Sequence, residues 1–174
     1  LPSSITDLST TAASNYPAGS DSPSVLDDVQ RVHASFIAEL YATQLSTILR
    51  SYLAGCTLST AGSSATMSIA AGVAMDSTNA YLMSVAAIAK TTSSWAVGSG
   101  NGGLDTGSVA NSTWYHFYAI RRPDTGVVDV IFSTSASAPT LPANYTQYRR
   151  IGSGKTDGSA QWTRFVQDGD RFEW

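Results

Sequence analysis

Few residues in this 174-residue chain are equipped for chemistry. There are two histidines (His33, His116), two glutamates (Glu39, Glu173) and one cysteine (Cys56). A glycosidase needs two carboxylates about 5–10 Å apart across a sugar ring. Asp105, Asp129, Asp157, Asp168 and Asp170 are the acids such a pair would draw on. Most of them stand near glycine or in turn sequences, where aspartate serves the backbone instead. No G-x-S-x-G elbow occurs, and no base is placed to activate Cys56. The run Gly98–Gly107 (GSGNGGLDTG) lacks the Lys and Ser/Thr of a phosphate-binding loop, and its glycines miss the G-x-G-x-x-G spacing. Asp168-Gly169-Asp170 is too short for a calcium loop. A lone cysteine excludes an intrachain disulfide and offers no thiol cluster for zinc or iron–sulfur. The expectation is a protein with no catalytic residues, no cofactor and no metal. Asn111-Ser112-Thr113 and Asn144-Tyr145-Thr146 match the glycosylation pattern, which chance also supplies.

Aromatic side chains are the remaining site-like feature. Trp95, Trp114, Tyr115, Tyr118, Tyr145, Tyr148, Trp162, Phe172 and Trp174 crowd the C-terminal two-thirds. Core packing and subunit contacts are the commoner use of such residues; stacking on sugar rings is the alternative. Trp95, which precedes a loop, and Trp174, at the chain end, are the candidate glycan contacts. His33 lies near the apolar stripe of a helix, and His116 alternates with Trp114, Tyr118 and Ile120 on one strand face, so both read as structural.

The elements that would hold these residues fall into three segments. Residues 1–22 (LPSSITDLSTTAASNYPAGSDS) are polar and small, with few apolar anchors, and read as an extended arm or linker. Residues 23–55 carry helical periodicity. Ser22 or Ser24 supplies an N-cap, Pro23 suits the first turn, and Asp27 and Asp28 favour the positive end of the dipole. Val25, Val29, Val32, Phe36 and Leu40 recur at three- and four-residue spacing. Ile48 and Tyr52 carry the stripe on, and Gly55 is the expected stop. The stripe breaks near Thr43 and Gln44, which argues for a short bundle or a docked helix rather than a long coiled coil. A lone amphipathic helix must bury its face on something, so Val25, Val29, Val32, Phe36, Leu40 and Ile48 are the candidate oligomerisation or attachment residues.

From residue 56 to 174 the period changes to two. Strands are expected over 57–61, 66–74, 80–89, 95–97, 114–122, 127–134, 145–152, 161–167 and 171–174. Turns stand at Asp76–Asn79, Pro123–Gly126, Thr156–Ser159 and Asp168–Asp170. Such spacing reads as an antiparallel β-sandwich, and Trp114–Ile120, apolar on both faces, as its central strand. The fold class expected is therefore mainly β: an extended arm, one long helix and a sandwich.

Composition agrees with a particle component or an extracellular protein. Only 13% of residues are charged, against about 25% in ordinary soluble domains. The net charge of -3 gives no electrostatic case for nucleic acid. Five acids and two bases precede Cys56, whereas eight acids balance eight bases from there on, as if two modules were joined. No apolar run approaches the roughly 18 residues that cross a bilayer, so no membrane insertion is expected. The N-terminus lacks a secretory leader pattern, and Leu1 suggests processing or an internal start.

The stretch Tyr16–Leu40 (YPAGSDSPSVLDDVQRVHASFIAEL) resembles the N-terminal region of tailed-bacteriophage tail fibre and virion appendage proteins. The stretches Trp95–Pro142, Tyr148–Ser153 (YRRIGS) and Phe165–Trp174 (FVQDGDRFEW) look like a β module of phage and prophage tail genes. The resemblance implies a non-enzymatic virion protein at the tail, baseplate or neck. It implies a homotrimer that attaches to other virion proteins through its N-terminal segment and projects a β module toward neighbours or the host surface. A carbohydrate-binding module for host-surface glycans is the alternative. No catalytic residues carry over.

Overall fold

A computed structural model describes residues 32, 33, 35–37, 49–168 and 171–173. The chain divides into two compact units, Leu1–Ile48 and Leu49–Trp174. In the first, Val32, His33 and Ser35–Ile37 are helical; Phe36 is buried and Val32 half-buried. The Ser35 hydroxyl donates to the Val32 carbonyl at 2.8 Å. The expected arm, and Val25, Val29, Leu40 and Ile48, lie outside the described residues.

The end of the expected helix needs correction. Tyr52 N–H closes a turn on the Leu49 carbonyl at 3.0 Å, and Ser51 adopts a φ of 58°. Leu53–Gly55 is then a strand (β1), so no helix reaches Gly55. Gly55 does stop an element, but a strand: its φ of 70° is left-handed, and a Cβ there would stand 2.4 Å from the Ala71 carbonyl oxygen.

The second unit is mainly β. After β1 come β2 (Leu58–Ser59), β3 (Thr66–Ile69), β4 (Gly72–Met75), β5 (Leu82–Val85), β6 (Ile88–Ser94) and β7 (Gly102–Leu104). They are followed by β8 (Trp114–Arg121), β9 (Val128–Ser133), β10 (Gln147–Lys155), β11 (Val166–Asp168) and β12 (Arg171–Glu173). The large sheet has the order β10-β8-β9-β7-β6-β3-β2, a small one β1-β4-β5, and β11 pairs with β12.

The two larger sheets share three chain paths. β1 leads into β2 through Cys56–Thr57, β3 into β4 through Ala70–Ala71, and β5 into β6 through Ala86–Ala87. Three neighbouring strands therefore bend together over one corner, as in orthogonal packings. The expected strands 66–74 and 80–89 are each two strands on either side of it. Gly72 sits in the bend because a Cβ there would lie 2.4 Å from both the Ala54 carbonyl oxygen and the Cys56 nitrogen. The exposed alanine pair at 86–87 has little side chain to anchor it to either sheet.

The sheets curl into a near-barrel. Trp162 closes the gap, bridging to Ser64 before β3 and to Thr156 after β10. The core has Leu58, Met67, Ile69, Met83 and Val85 on one side and Tyr115, Phe117, Val130, Phe132, Ile151 and Trp162 on the other. Trp162 lies 5.0–5.8 Å from the Phe132, Phe117 and Tyr115 rings. A second cluster, Tyr118, Ile120, Ile131 and Tyr145, covers the opposite face of β8 and β9. β8 is interior and buried on both faces, as its pattern predicts.

The sheet is mixed, not wholly antiparallel: β7 runs parallel to both β6 and β9. Sequence pattern places Gly102–Leu104 in a loop because glycine is depleted in strands. The glycines are there because backbone passes too close for side chains. A Cβ on Gly102 would meet the Ser94 carbonyl oxygen at 2.0 Å, and one on Gly103 would meet the Phe132 ring at 2.8 Å. Residues 95–97, expected as a strand, instead turn the chain back. Trp95 and Ala96 still donate to the Leu104 and Gly102 carbonyls at 2.8 and 3.1 Å. Of the expected strand 161–167, only the Trp162 bridges and the start of β11 form.

Candidate functional site

Of the carboxylates considered for catalysis, Asp105 and Asp157 are occupied with backbone, and the Asp168 and Asp170 side chains lie outside the described residues. Asp105 accepts from the Thr106 and Thr140 amides at 2.8 and 3.0 Å. Asp157 accepts from the Ser159 and Gln161 amides at 2.8 and 3.0 Å, fixing its turn. Among the described residues, no three or more His, Cys, Asp or Glu side chains gather as a metal site. His116 pairs its Nδ1 with Ser153 Oγ at 2.9 Å. Burial, and then the nearby Arg150 charge, hold the imidazole below its ordinary pKa.

Asp129 belongs to a feature that sequence reasoning missed. Lys90 Nζ lies 2.8 Å from Asp129 Oδ1, with the two side chains 0% and 1% exposed. The ammonium also donates to the Ala96 and Gly98 carbonyls at 2.8 and 2.9 Å and faces the Trp95 ring at 5.7 Å. Asp129 Oδ2 accepts the Gly98 N–H at 2.8 Å. All three ammonium protons are used, which is what lets a charge persist in a core. Burial pushes the Lys90 pKa down, and Asp129 opposes that. The pair fastens the 95–98 turn to β6 and β9. Lys90's one sequence signal is a charge placed in a strand that otherwise reads as apolar.

The surface feature with recognition chemistry is a cavity of about 360 Å³ at the β10 edge. β10 ends the large sheet and pairs only with β8 in it. Between Arg150 and Gly152 the register slips by one residue. Such a bulge bends a strand and re-aims side chains. Ile151, the extra residue, enters the main core, while Arg150 stays opposite Tyr118 on the other face. Tyr118, Tyr148, Arg149 and Arg150 line the cavity, with Ser77 and Leu53 at one side and Ala136 and Ser137 at the other.

The electrostatics of this cavity are one-sided. Arg149 Nη2 donates to the Ser51 carbonyl at 3.2 Å, and Arg150 Nη1 to the Ala136 carbonyl at 3.4 Å. Neither guanidinium has a carboxylate partner among the described residues, and no lining residue is acidic. The Tyr118 hydroxyl donates to the Ser135 carbonyl at 2.6 Å, and its ring meets Tyr148 edge-on at 6.0 Å. Burial raises the Tyr118 pKa, and Arg150 works against that rise. Two forked cations, two phenols and serine hydroxyls are equipped to bind polar or anionic groups, with no group poised to break a bond.

Of the two candidate glycan contacts, Trp95 falls elsewhere. Trp95 is half-buried, packs edge-on against Tyr145 at 5.4 Å, and belongs to the second core cluster. Its indole N–H is enclosed without a hydrogen-bond partner. Trp174 lies outside the described residues. Compared with protein-family models, curated proteins and solved structures, the chain matches none.

Proposed function

We propose that this chain is a non-enzymatic structural component of a tailed-phage virion: a tail fibre, a short fibre or an appendage adaptor. In this reading it is a homotrimer in the tail, baseplate or neck. The N-terminal arm and helix attach it to other virion proteins, with Val25, Val29, Val32, Phe36, Leu40 and Ile48 facing the partner. The β unit projects toward neighbours or the host surface. The observation that carries the reading is the division of the chain at Ile48/Leu49. The appendage-like stretch Tyr16–Leu40 lies wholly before that boundary, and the tail-gene-like stretches lie wholly after it. Light scattering of the purified full chain tests the assembly. The expected mass is about 55 kDa, three times the 18.3 kDa chain; a monomer at micromolar concentration, with its helix intact by circular dichroism, overturns it.

The β10 cavity favours a second reading, a carbohydrate-binding module for host-surface glycans. Half-buried Tyr148 offers a ring and the arginines and serines offer donors, as sugar recognition requires. Binding of the full chain to a glycan array tests this reading.

A further inference from the structure

We infer that the β10 cavity is a subsite for an acidic saccharide unit, a sugar bearing a carboxylate or a phosphate. The inference rests on the glycan-binding reading and not on where the chain sits in a particle.

Three observations converge. First, two guanidiniums border one cavity, and among the described residues each spends a single long bond on a backbone carbonyl. A guanidinium presents five donors in a fixed fork that matches carboxylate and phosphate oxygens, so most of this capacity stands unused. Second, the local field favours an anion. Arg149 and Arg150 line the cavity and no lining residue is acidic; Asp105, the acid that acts on Tyr118, lies outside the lining. Arg150 in turn disfavours a second positive charge on His116. Third, the cavity is not a bare ion site. At about 360 Å³ it stands near the small end of ligand pockets, roughly 300–1,000 Å³. That volume suits one ring and its substituents better than an extended chain. Half-buried Tyr148 supplies a ring, and the Ser77 and Ser137 hydroxyls supply hydroxyl-matching groups. Guanidinium forks for the charged substituent beside a phenol for the ring is the pairing an acidic sugar needs.

Saturation-transfer NMR on the full chain, with glucuronic acid, glucose 6-phosphate and glucose as probes, reads the subsite directly. At least one acidic sugar is expected to bind about tenfold more tightly than glucose, as charge-assisted bidentate bonds exceed neutral ones. Which one binds tells a carboxylate source from a phosphate source. Arg150→Gln and Arg149→Gln are each expected to weaken that binding about tenfold, whereas Arg164→Gln, an exposed charge elsewhere, leaves it unchanged. Raising salt from about 50 mM to about 500 mM weakens it further. Glucose binding as tightly as the acidic sugars, or acidic-sugar binding indifferent to both arginine changes in folded protein, overturns the inference and leaves glycan binding standing. Failure of all three sugars here and of every glycan on the array overturns both.

Discussion

Lys90 and Asp129 sit in a core where neither would survive alone. Breaking a buried pair by removing one partner leaves an unpaired charge and costs about 3–5 kcal/mol. Lys90→Met should therefore lower the urea-unfolding free energy by about that much, with the 95–98 turn losing its anchor. Lys90→Met combined with Asp129→Leu should recover much of the loss, because replacing both partners by apolar groups removes the stranded charge. A double variant no more stable than the single one would show that the pair's worth lies in holding Ala96 and Gly98. Asp76 is a second buried acid. It accepts from the Ala80 and Tyr81 amides at 2.8 and 2.9 Å and from the Thr78 amide and hydroxyl. Burial alone would raise its pKa, but these bonds outweigh it and the net direction is down. A carboxylate depressed in the folded state stabilises fully above its unfolded pKa of about 3.9, and the contribution fades as pH falls through the folded value. Asp76→Asn should cost about 1–3 kcal/mol near neutral pH. The gap from the unsubstituted chain should narrow below about pH 4 in urea titrations; a constant gap from about pH 7 to about pH 2 would contradict this account.

The three-strand corner makes a sharp demand on Gly72, where a Cβ has backbone atoms at 2.4 Å on two sides. Gly158, in an open turn, has nothing within 4 Å of the place a Cβ would take and no left-handed φ. Gly72→Ala should destabilise the β unit by several kcal/mol, since backbone cannot yield as a flexible side chain can. Gly158→Ala should be neutral or stabilise by about 0.4–1 kcal/mol through the unfolded chain. Thermal unfolding of the two variants side by side distinguishes these outcomes. The same corner explains how far the strands are legible in the sequence. β8 and β9 are plain from their residues: Trp114–Arg121 is apolar on both faces, and Pro123-Asp124-Thr125-Gly126 marks the turn between them. The bent paths read as single strands because alternation survives a bend, so AYLMSVAAIA gives no sign of changing sheets. β7 is hidden because its glycines answer to tertiary crowding, which local pattern does not encode. Among candidate site residues, Trp95 reads as displayed because it precedes a loop, yet it packs half-buried against Tyr145, a contact that local pattern does not encode. Arg149 and Arg150 are visible only as part of YRRIGS, since the bulge and the cavity are properties of pairing with β8.

Across the whole β unit, Trp162 joins the two ends of the large sheet while filling the centre of the aromatic core. Trp162→Ala should cost about 3–5 kcal/mol, a large share of the roughly 5–15 kcal/mol that holds a typical domain together. Trp162→Phe should cost less, because the indole N–H it removes is buried without a partner. Urea midpoints give the ranking, and equal losses for the two would contradict the weight given to aromatic packing. The bulge on β10 has a different kind of consequence. Ile151 takes the inward place, Tyr148 packs against the second cluster, and Arg150 stands opposite Tyr118 without contributing to the main core. If the cavity binds as proposed, its lining at Arg150 can change while the main core stays fixed. A lineage under pressure to change such a ligand would rewrite position 150 first, and each new version would inherit a near-barrel that already folds.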